Sequence, residues 1–166
     1  MPLVDSHRKQ KLEKLNVSVE VLAFLRALDA PGNLRHLFNE PFYFYSVGGT
    51  ENPGDWPEFR GRTLLPLWEH SEAIFVADLS NDDVQYFSFY LECPEQPSLF
   101  GRSIYEPLFH MLGLHVWEYG GEEREIEEAV VLAERLMFPE LDQLRALLLN
   151  PMSSDEDIQE YSCALA

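Results

Sequence analysis

The chain has 166 residues, 46% of them hydrophobic, and a formal net charge of −17. This length suits one domain with its own core, and the composition is not that of a disordered protein. The charge argues against a nucleic-acid-binding protein, because contacts to phosphates need Lys and Arg, and it is equally unsuited to an anionic membrane surface.

The cysteines and the N-terminus indicate the cellular compartment. Cys93 and Cys163 are far apart and form no C-x-x-C pair of the kind found in disulfide frameworks or zinc sites. The N-terminus carries charges without an apolar core behind them, so it lacks the pattern of a secretory signal. No apolar run approaches the roughly 18 residues that span a bilayer. We therefore expect a protein of the reducing cytoplasm.

The first third of the chain predicts helices followed by one short strand. Residues 1–17 are expected to form an arm or a short helix. Ser18 is placed to cap a helix over residues 19–29, where apolar residues recur at helical spacing. The aromatic run PFYFYSVGG at 41–49 predicts a short strand leading into a turn, and residues 50–61 predict a loop rich in Pro and Gly.

Three strands are predicted in the middle of the chain. They cover residues 63–68, 73–79 and 84–91. Successive side chains of the third strand point to opposite faces of the sheet. Phe87 and Phe89 lie on one face, which we expect to pack on a core. Tyr86 and Tyr90 lie on the opposite face, which we expect to meet solvent or a partner.

The segment DLSNDD, residues 78–83, lies between the second and third of these strands. Its first, third and fifth residues carry side-chain oxygens, as in an EF-hand calcium loop. Such a loop needs Gly at its sixth position and Glu at its twelfth, whereas this chain has Asp83 and Phe89 there. Asp and Asn also favour tight turns. We therefore predict a turn, with Asp82 and Asp83 exposed at its tip.

The last third of the chain predicts three helices and a tail. A Pro-rich loop at 93–101 precedes a helix that the S-x-x-E pair at 103–106 begins as a capping box. A strongly amphipathic helix follows Gly121, and another follows Pro139. The polar, acidic residues 151–166 are expected to be a disordered tail.

The order of these elements is helices, then strands, then helices, which is the α+β arrangement. We expect a single domain over residues 18–150, with an antiparallel sheet of about four to six strands flanked by N-terminal and C-terminal helices. Residues 163–166 match the C-a-a-X prenylation pattern, but the preceding segment is acidic where a basic second anchor is expected, so we expect no lipid anchor. The sequence does not indicate an oligomeric state.

Candidate catalytic and metal-binding residues are few. Glu106 and His110 are four apart on one predicted helix and could share a metal, but no third ligand is in view, and His115 lies on a different face. The chain has no G-x-S-x-G nucleophile elbow and no Gly-rich loop that would cradle phosphates. We therefore predict no catalytic residue, no metal and no cofactor.

The negative charge is spread along the chain except at the N-terminus, where all three lysines lie. The densest run is EYGGEEREIEE at 118–128, with six glutamates and one arginine. Such a field speeds association with a basic partner. Carboxylates also suit the start of a helix, so a docking patch and a solvated helix start both stay open.

The block LLPLWEHSEAIFVADLSNDDVQYFSFYLE, residues 64–92, resembles the centre of the SUKH superfamily. Proteins of that family have a strand near a Leu-Pro step, a second strand, a polar turn, an aromatic strand and a helix that packs back on the sheet, here SIYEPLFHMLGLHVWE. The family's usual Asn-Gly-Gly step is Val47-Gly48-Gly49 in this chain. The resemblance covers about residues 18–118 and does not account for the loop at 50–61 or the last two helices.

The resemblance implies a non-enzymatic α+β domain of the bacterial immunity type, which binds and blocks a co-encoded toxin, often a nuclease or deaminase. The charge agrees with this, because toxins that act on nucleic acid carry basic clefts. The expected partner is thus a basic toxin domain, met by aromatic anchors within a polar rim. The candidate partner-binding residues are Trp56, Trp68, Glu69, Glu72, Asp82, Asp83, Tyr86, Tyr90, Glu122 and Glu123.

Two other functions stay open. A regulatory scaffold would dock a cellular partner through its acidic helix, and the gene neighbourhood would separate it from an immunity protein. A hydrolase would use scattered carboxylates or histidines, and it requires a concave pocket in which at least two titratable groups converge.

Overall fold

The structure, a computed structural model, describes residues 8–46, 57–118, 121–150 and 155–166. Within these ranges helices come first, a four-stranded antiparallel sheet follows, and further helices complete the chain. The protein is a single α+β domain, which confirms the predicted fold class. No helix in the described ranges is long and apolar enough to cross a membrane.

The sheet is a simple meander. Its strands are β1 (Leu64–His70), β2 (Ala73–Asp78), β3 (Gln85–Tyr90) and β4 (Cys93–Gly101), in the spatial order β1-β2-β3-β4. The first three match the predicted strands because their β-branched and aromatic residues suit a pleated, buried surface. The fourth was predicted to be a loop, and that prediction is wrong: β4 is an edge strand, where proline is tolerated.

Apolar side chains cover both faces of the sheet. The larger core includes Trp68, Phe75 and Tyr86 on one face. A smaller cluster on the other face includes Phe87 and Phe89. The prediction that the tyrosine face of β3 meets solvent or a partner is therefore wrong at Tyr86.

A bulge in β1 anchors the N-terminal segment. The register of β1 against β2 shifts between Pro66 and Trp68. The buried Arg8 guanidinium donates to the backbone oxygens of Pro66 (3.1 Å), Leu67 (2.5 Å) and Leu25 (2.8 Å). It thereby satisfies carbonyls that would otherwise be buried without a partner. Of the two alternatives predicted for this segment, the structure has the short helix, whose described part covers residues 8–12.

Helix α1 (Val19–Ala27) begins as predicted, since the Ser18 hydroxyl accepts a hydrogen bond from the Val21 N–H at 3.2 Å. The aromatic run that follows forms helix α2 (Phe42–Ser46), where a strand was predicted. The strand prediction is wrong because the Glu69 carboxylate, distant in sequence, accepts hydrogen bonds from backbone N–H groups of this segment and caps it as a helix.

In its described residues, the C-terminal half contributes four helices and one wider turn. Helix α3 (Tyr105–Gly113) continues into a single π-helical turn (Leu114–Glu118), and α4 (Glu123–Arg135), α5 (Leu141–Leu149) and α6 (Asp155–Leu165) follow. The predicted capping box is half formed. The Glu106 carboxylate accepts from the Ser103 N–H, as predicted, but the Ser103 hydroxyl accepts from the Tyr105 N–H, while the Glu106 N–H donates to the Ser103 carbonyl.

Helix α6 replaces the predicted disordered tail, so that prediction is wrong. Ile158, Tyr161 and Leu165 recur at helical spacing and face the domain. Tyr161 is fully buried, packs edge-on against Phe109 with ring centroids 4.9 Å apart, and donates its hydroxyl to the Pro139 carbonyl at 3.0 Å. Three buried or half-buried apolar side chains supply the packing that the ordering of this segment requires.

Candidate functional site

The predicted partner-binding residues do not form one patch. Trp56 lies outside the described residues. The others divide into three buried side chains, two exposed groups at opposite ends of the sheet, and one exposed pair at the start of α4. Each group has a different physical role.

Trp68 and Tyr86 are not surface anchors. Trp68 is fully buried and stacks on Phe75, with ring centroids 5.1 Å apart, while Phe38 meets it edge-on at 5.3 Å. Tyr86 keeps only 4% of its surface exposed, and burial raises the pKa of its hydroxyl to about 12. Both predictions of a partner contact are therefore wrong, because these rings are part of the larger core.

Glu69 is not a steering charge either. Its carboxylate is buried and accepts hydrogen bonds from the backbone N–H groups of Phe44 at 2.8 Å and Tyr43 at 3.2 Å. Burial raises the pKa of Glu69, and the backbone hydrogen bonds oppose that rise. The residue holds α2 against β1, so its predicted role at an interface is wrong.

The DLSNDD segment turns the chain between two antiparallel strands, as predicted. Asp78 is the buried member: it accepts from the Arg62 guanidinium at 2.7 Å and from the Ser80 N–H at 2.9 Å. These hydrogen bonds and the Arg62 charge outweigh burial and hold the pKa of Asp78 below its usual value. Asp82 and Asp83 are exposed at the tip, where Asp83 pairs with Arg102 at 3.1 Å.

The opposite end of the sheet and the edge strand β4 carry exposed acidic and apolar residues. Tyr90 is 50% exposed and Leu99 is 78% exposed. Tyr90 pairs with Cys93 at the start of β4, whereas Leu99 pairs with Phe87 near the end of β4. Exposed carboxylates lie on the two hairpins at the Tyr90 end and on β4. We call this the β4 surface, and its residues are Glu72, Tyr90, Glu92, Glu95 and Leu99.

Glu122 and Glu123 are exposed at the start of α4, away from the sheet. The same helix carries Glu128, which the fold uses: its carboxylate lies 3.0 Å from the Nε2 of the buried His115 and 3.2 Å from the guanidinium of Arg124. Part of the acidic run at 118–128 is thus structural, while its first members face solvent.

Most arginines in the described ranges are already paired with carboxylates. The ion pairs join Arg26 to Glu13, Arg35 to Asp29, Arg62 to Asp78, Arg102 to Asp83, Arg124 to Glu128 and Arg145 to Glu134. The pairs in which both side chains are exposed add little stability, but each pair neutralises a carboxylate locally. The net negative charge therefore resides on other acidic residues, including those of the β4 surface.

A cleft of about 370 Å³ opens next to the β4 surface, between β4, α3, the π-helical turn and α6. Its apolar lining consists of Leu99, Phe100, Phe109, Leu114, Trp117 and Ile158. Its titratable lining consists of Glu106, His110 and Glu118. A volume of this size lies within the range of small-ligand sites, which are mostly apolar with a few polar groups.

Two glycines shape this cleft. A Cβ atom at Gly113 would lie 2.5 Å from the ring of Trp117, so the indole rests directly on the backbone of α3. Gly101 has a φ of +105°, and a Cβ there would lie 2.5 Å from the Glu106 carboxylate. Glycine thus allows a flat aromatic wall on one side and a carboxylate close to β4 on the other.

The titratable groups of the cleft differ in their surroundings. Burial raises the pKa of Glu106, against hydrogen bonds from the backbone N–H groups of Ser103 and Arg102. The imidazole of His110 lies near the ring of Phe100, with centroids 5.3 Å apart, and desolvation lowers its pKa although part of the side chain is exposed. His110 is therefore mainly neutral near pH 7, and Glu118 is exposed at the rim.

Sequence reasoning missed the cleft because one of its walls was predicted to be disordered. The spacing of Ile158, Tyr161 and Leu165 could have predicted α6. The pair Glu106 and His110 was recognised, but their environment depends on Phe100 and Trp117, which reach them only in the folded chain. The described residues contain no group of three or more His, Cys, Asp or Glu side chains arranged to hold a metal ion.

Comparisons of the chain with protein-family models, with curated proteins and with solved structures find no match. The site must therefore be interpreted from its own geometry and charge. That geometry is an exposed, acidic, partly apolar strand edge joined to a cleft whose walls are aromatic and whose charged groups are mainly carboxylates.

Proposed function

We propose that this protein is a non-enzymatic binding protein that captures a basic protein partner through the β4 surface and the adjoining cleft. The observation that carries the proposal is the exposure of Tyr90 at the β3–β4 hairpin and of Leu99 farther along the edge strand β4, together with exposed carboxylates that no arginine pairs with in the described ranges. Single exposed apolar residues need no explanation. A hairpin and edge strand that combine exposed apolar and acidic side chains, and whose far end borders an aromatic cleft, have the composition of a binding surface.

The charge supplies the long-range part of recognition. A field of one sign raises the rate of encounter with an oppositely charged partner, and the effect falls as salt screens it. Because the arginines are largely occupied in ion pairs, the net charge of −17 is presented mainly by acidic side chains. Association with a basic protein should therefore be fast and sensitive to salt.

The apolar residues supply the short-range part. Interfaces gain most of their affinity from a few well-packed aromatic or apolar anchors surrounded by polar residues that exclude water. Tyr90 is placed to act as such an anchor among the carboxylates of Glu72, Glu92 and Glu95. Leu99, farther along β4, is placed to act as a second anchor at the cleft. This arrangement replaces the buried Trp68 and Tyr86 as the proposed anchors.

The class of partner follows from the resemblance of the strand block to the SUKH superfamily. If this chain acts as members of that family do, the partner is a co-encoded toxin domain, and a nuclease or deaminase with a basic cleft fits the charge. A regulatory scaffold with a different basic partner would use the same surface. The gene neighbourhood separates these two functions.

The cleft is the one observation that favours a hydrolase, since Glu106, His110 and Glu118 converge on it. Among the described residues, however, His110 makes ring contacts with Phe75 and Phe100 and no hydrogen bond to a carboxylate or hydroxyl. General-base catalysis needs an oriented base within hydrogen-bond reach of its target. The binding function therefore accounts for the cleft better.

The test is a co-expression pull-down with the product of the neighbouring gene, followed by association kinetics at low and high salt. We expect a stable complex whose association rate falls with salt. Changing Glu72, Glu92 and Glu95 to Gln should lower that rate by about tenfold. The matched control changes Glu122, Glu123 and Glu127 to Gln, which alters the net charge equally and should have a smaller effect. No complex at either salt concentration would contradict the proposal.

A further inference from the structure

We propose that the cleft between β4, α3, the π-helical turn and α6 receives an arginine side chain of the basic partner. The inference rests on the proposed function and specifies its central contact. It follows from the shape of the cleft, its aromatic walls and the sign of its charged groups. An arginine held in this way would be the anchor around which the β4 surface packs.

The cleft is concave. The cleft has a volume of about 370 Å³ and is bounded by four separate elements. It is therefore a concave site and not a flat patch, and it can surround a long side chain. Leu99, the most exposed apolar residue of the described chain, lies on its rim and links it to the β4 surface.

Three aromatic rings line the cleft. The Trp117 ring packs directly on Gly113, and the rings of Trp117 and Phe109 are nearly perpendicular, with centroids 6.0 Å apart. Phe100 contributes a third ring from β4. The face of an aromatic ring, and of Trp above all, attracts a cation held within about 6 Å of its centre. The methylene groups of a long cationic side chain also pack well on such a surface.

The charged groups that line the cleft are negative. The lining contains the carboxylates of Glu106 and Glu118 and neither Lys nor Arg. The lowered pKa of His110 keeps its imidazole mainly neutral near pH 7, so it does not repel a cation. Glu106 uses one oxygen to cap α3, and a carboxylate has further lone pairs to accept a guanidinium.

The lining of the cleft suits arginine better than lysine. A guanidinium is planar, stacks on aromatic faces and offers several N–H donors in a fixed geometry, whereas an ammonium is a compact and strongly hydrated charge. A cleft with aromatic walls and two carboxylates matches the planar group. A neutral side chain of the same shape would leave the carboxylates without a partner.

The test uses the full chain and three small probes: N-acetyl-arginine amide, N-acetyl-citrulline amide and N-acetyl-lysine amide. Binding is followed by NMR through the indole N–H signal of Trp117, which is assigned with a Trp117→Phe variant. We expect the arginine probe to bind with a dissociation constant on the order of millimolar, as suits one side chain. Citrulline, which has the same shape without the charge, should bind at least about tenfold more weakly. Equal binding of arginine and citrulline would overturn the inference.

Two pairs of variants locate the site. Gln159→Phe adds a ring to a lining residue and should abolish binding, whereas Cys163→Phe, on the same helix but outside the lining, should not. Glu118→Gln removes a carboxylate at the cleft and should weaken binding several-fold. Its control, Glu160→Gln, makes the same change of net charge outside the lining, on α6, and should have a smaller effect. Equal effects within either pair would contradict binding in the cleft.

A further probe separates a small-molecule site from a site for a side chain within a peptide. The peptide acetyl-Gly-Gly-Arg-Gly-Gly-amide should bind at least as tightly as N-acetyl-arginine amide. If only N-acetyl-arginine amide binds, the cleft is a small-molecule site and the inference is wrong. Capture of the partner with no response to any arginine probe would refute the inference alone. Arginine binding without partner capture would refute the proposed function alone.

Discussion

The sheet buries one carboxylate near each of its two ends, and the fold stabilises them in different ways. Glu69 and Asp78 are equally buried, with 4% of their surface exposed. Asp78 has a cation, Arg62, and its pKa is lowered, whereas Glu69 has only backbone N–H donors in the described part of the chain, and its pKa is raised. The fold therefore favours the charged form of Asp78 and the neutral form of Glu69, although the two residues contribute equally to the formal net charge.

The comparison also shows which acidic residues can serve a partner. Glu69 and Asp78 are used to hold α2 and the β2–β3 turn in place. Glu72 and Asp82, a few residues away at the same two ends, are exposed, and their side chains form no hydrogen bond or ion pair with the described part of the chain. Substitutions at these four positions test the difference.

The largest effect is expected for Glu69→Ala. It leaves the N–H groups of Tyr43 and Phe44 without an acceptor in a buried site and creates a cavity. We expect a loss of about 2–4 kcal/mol in the free energy of unfolding, measured by urea denaturation. A loss near zero would show that α2 does not depend on this cap.

A smaller effect should distinguish the two charges. Asp78→Asn removes the charge that Arg62 pairs with and should cost about 1–2.5 kcal/mol. Glu69→Gln keeps an acceptor and removes a charge that burial disfavours, so it should cost less, about 1 kcal/mol or below. The reverse order in urea denaturation would contradict the assigned difference.

The pH dependence should differ in sign. The native pKa of Glu69 lies above its ordinary value of 4.5. Protonation of Glu69 therefore stabilises the folded protein in full below pH 4.5. This stabilisation is lost as the pH rises through the native pKa. The native pKa of Asp78 lies below its ordinary value of 3.8. The charge of Asp78 therefore stabilises the folded protein in full above pH 3.8. This stabilisation is lost as the pH falls through the native pKa.

Urea denaturation from about pH 7 to about pH 3 measures both contributions. As the pH falls, the stability of the unsubstituted protein should increase relative to Glu69→Gln. Relative to Asp78→Asn, it should decrease at the acidic end. Parallel profiles for the two variants would refute the proposed contrast.

The smallest effect on stability is expected for the exposed neighbours. Glu72→Gln and Asp82→Asn should each change the free energy of unfolding by less than about 0.5 kcal/mol. Only Glu72→Gln should slow association with the basic partner, because Asp82 lies at the other end of the sheet. A large loss of stability in either variant would place these residues among the structural carboxylates.

The strands β1 to β3 could be predicted because their side chains carry the preference for a sheet within the segment itself. The aromatic run of α2 could not, since the carboxylate that caps it comes from β1. The same limit applies to Trp68 and Tyr86: the chain shows large rings on strands, but only the packing of α3 and the N-terminal segments decides that both faces of the sheet are covered.

The prolines of β4 have a consequence for the behaviour of this protein at high concentration. An open sheet edge is a template on which further copies can polymerise. Pro94 and Pro97 have no backbone N–H, so β4 has two fewer hydrogen-bond donors than a strand without proline, and the register of β4 against β3 is irregular there. An incoming copy would find an incomplete row of donors, so filament growth from this edge is discouraged even where a single folded partner can still dock.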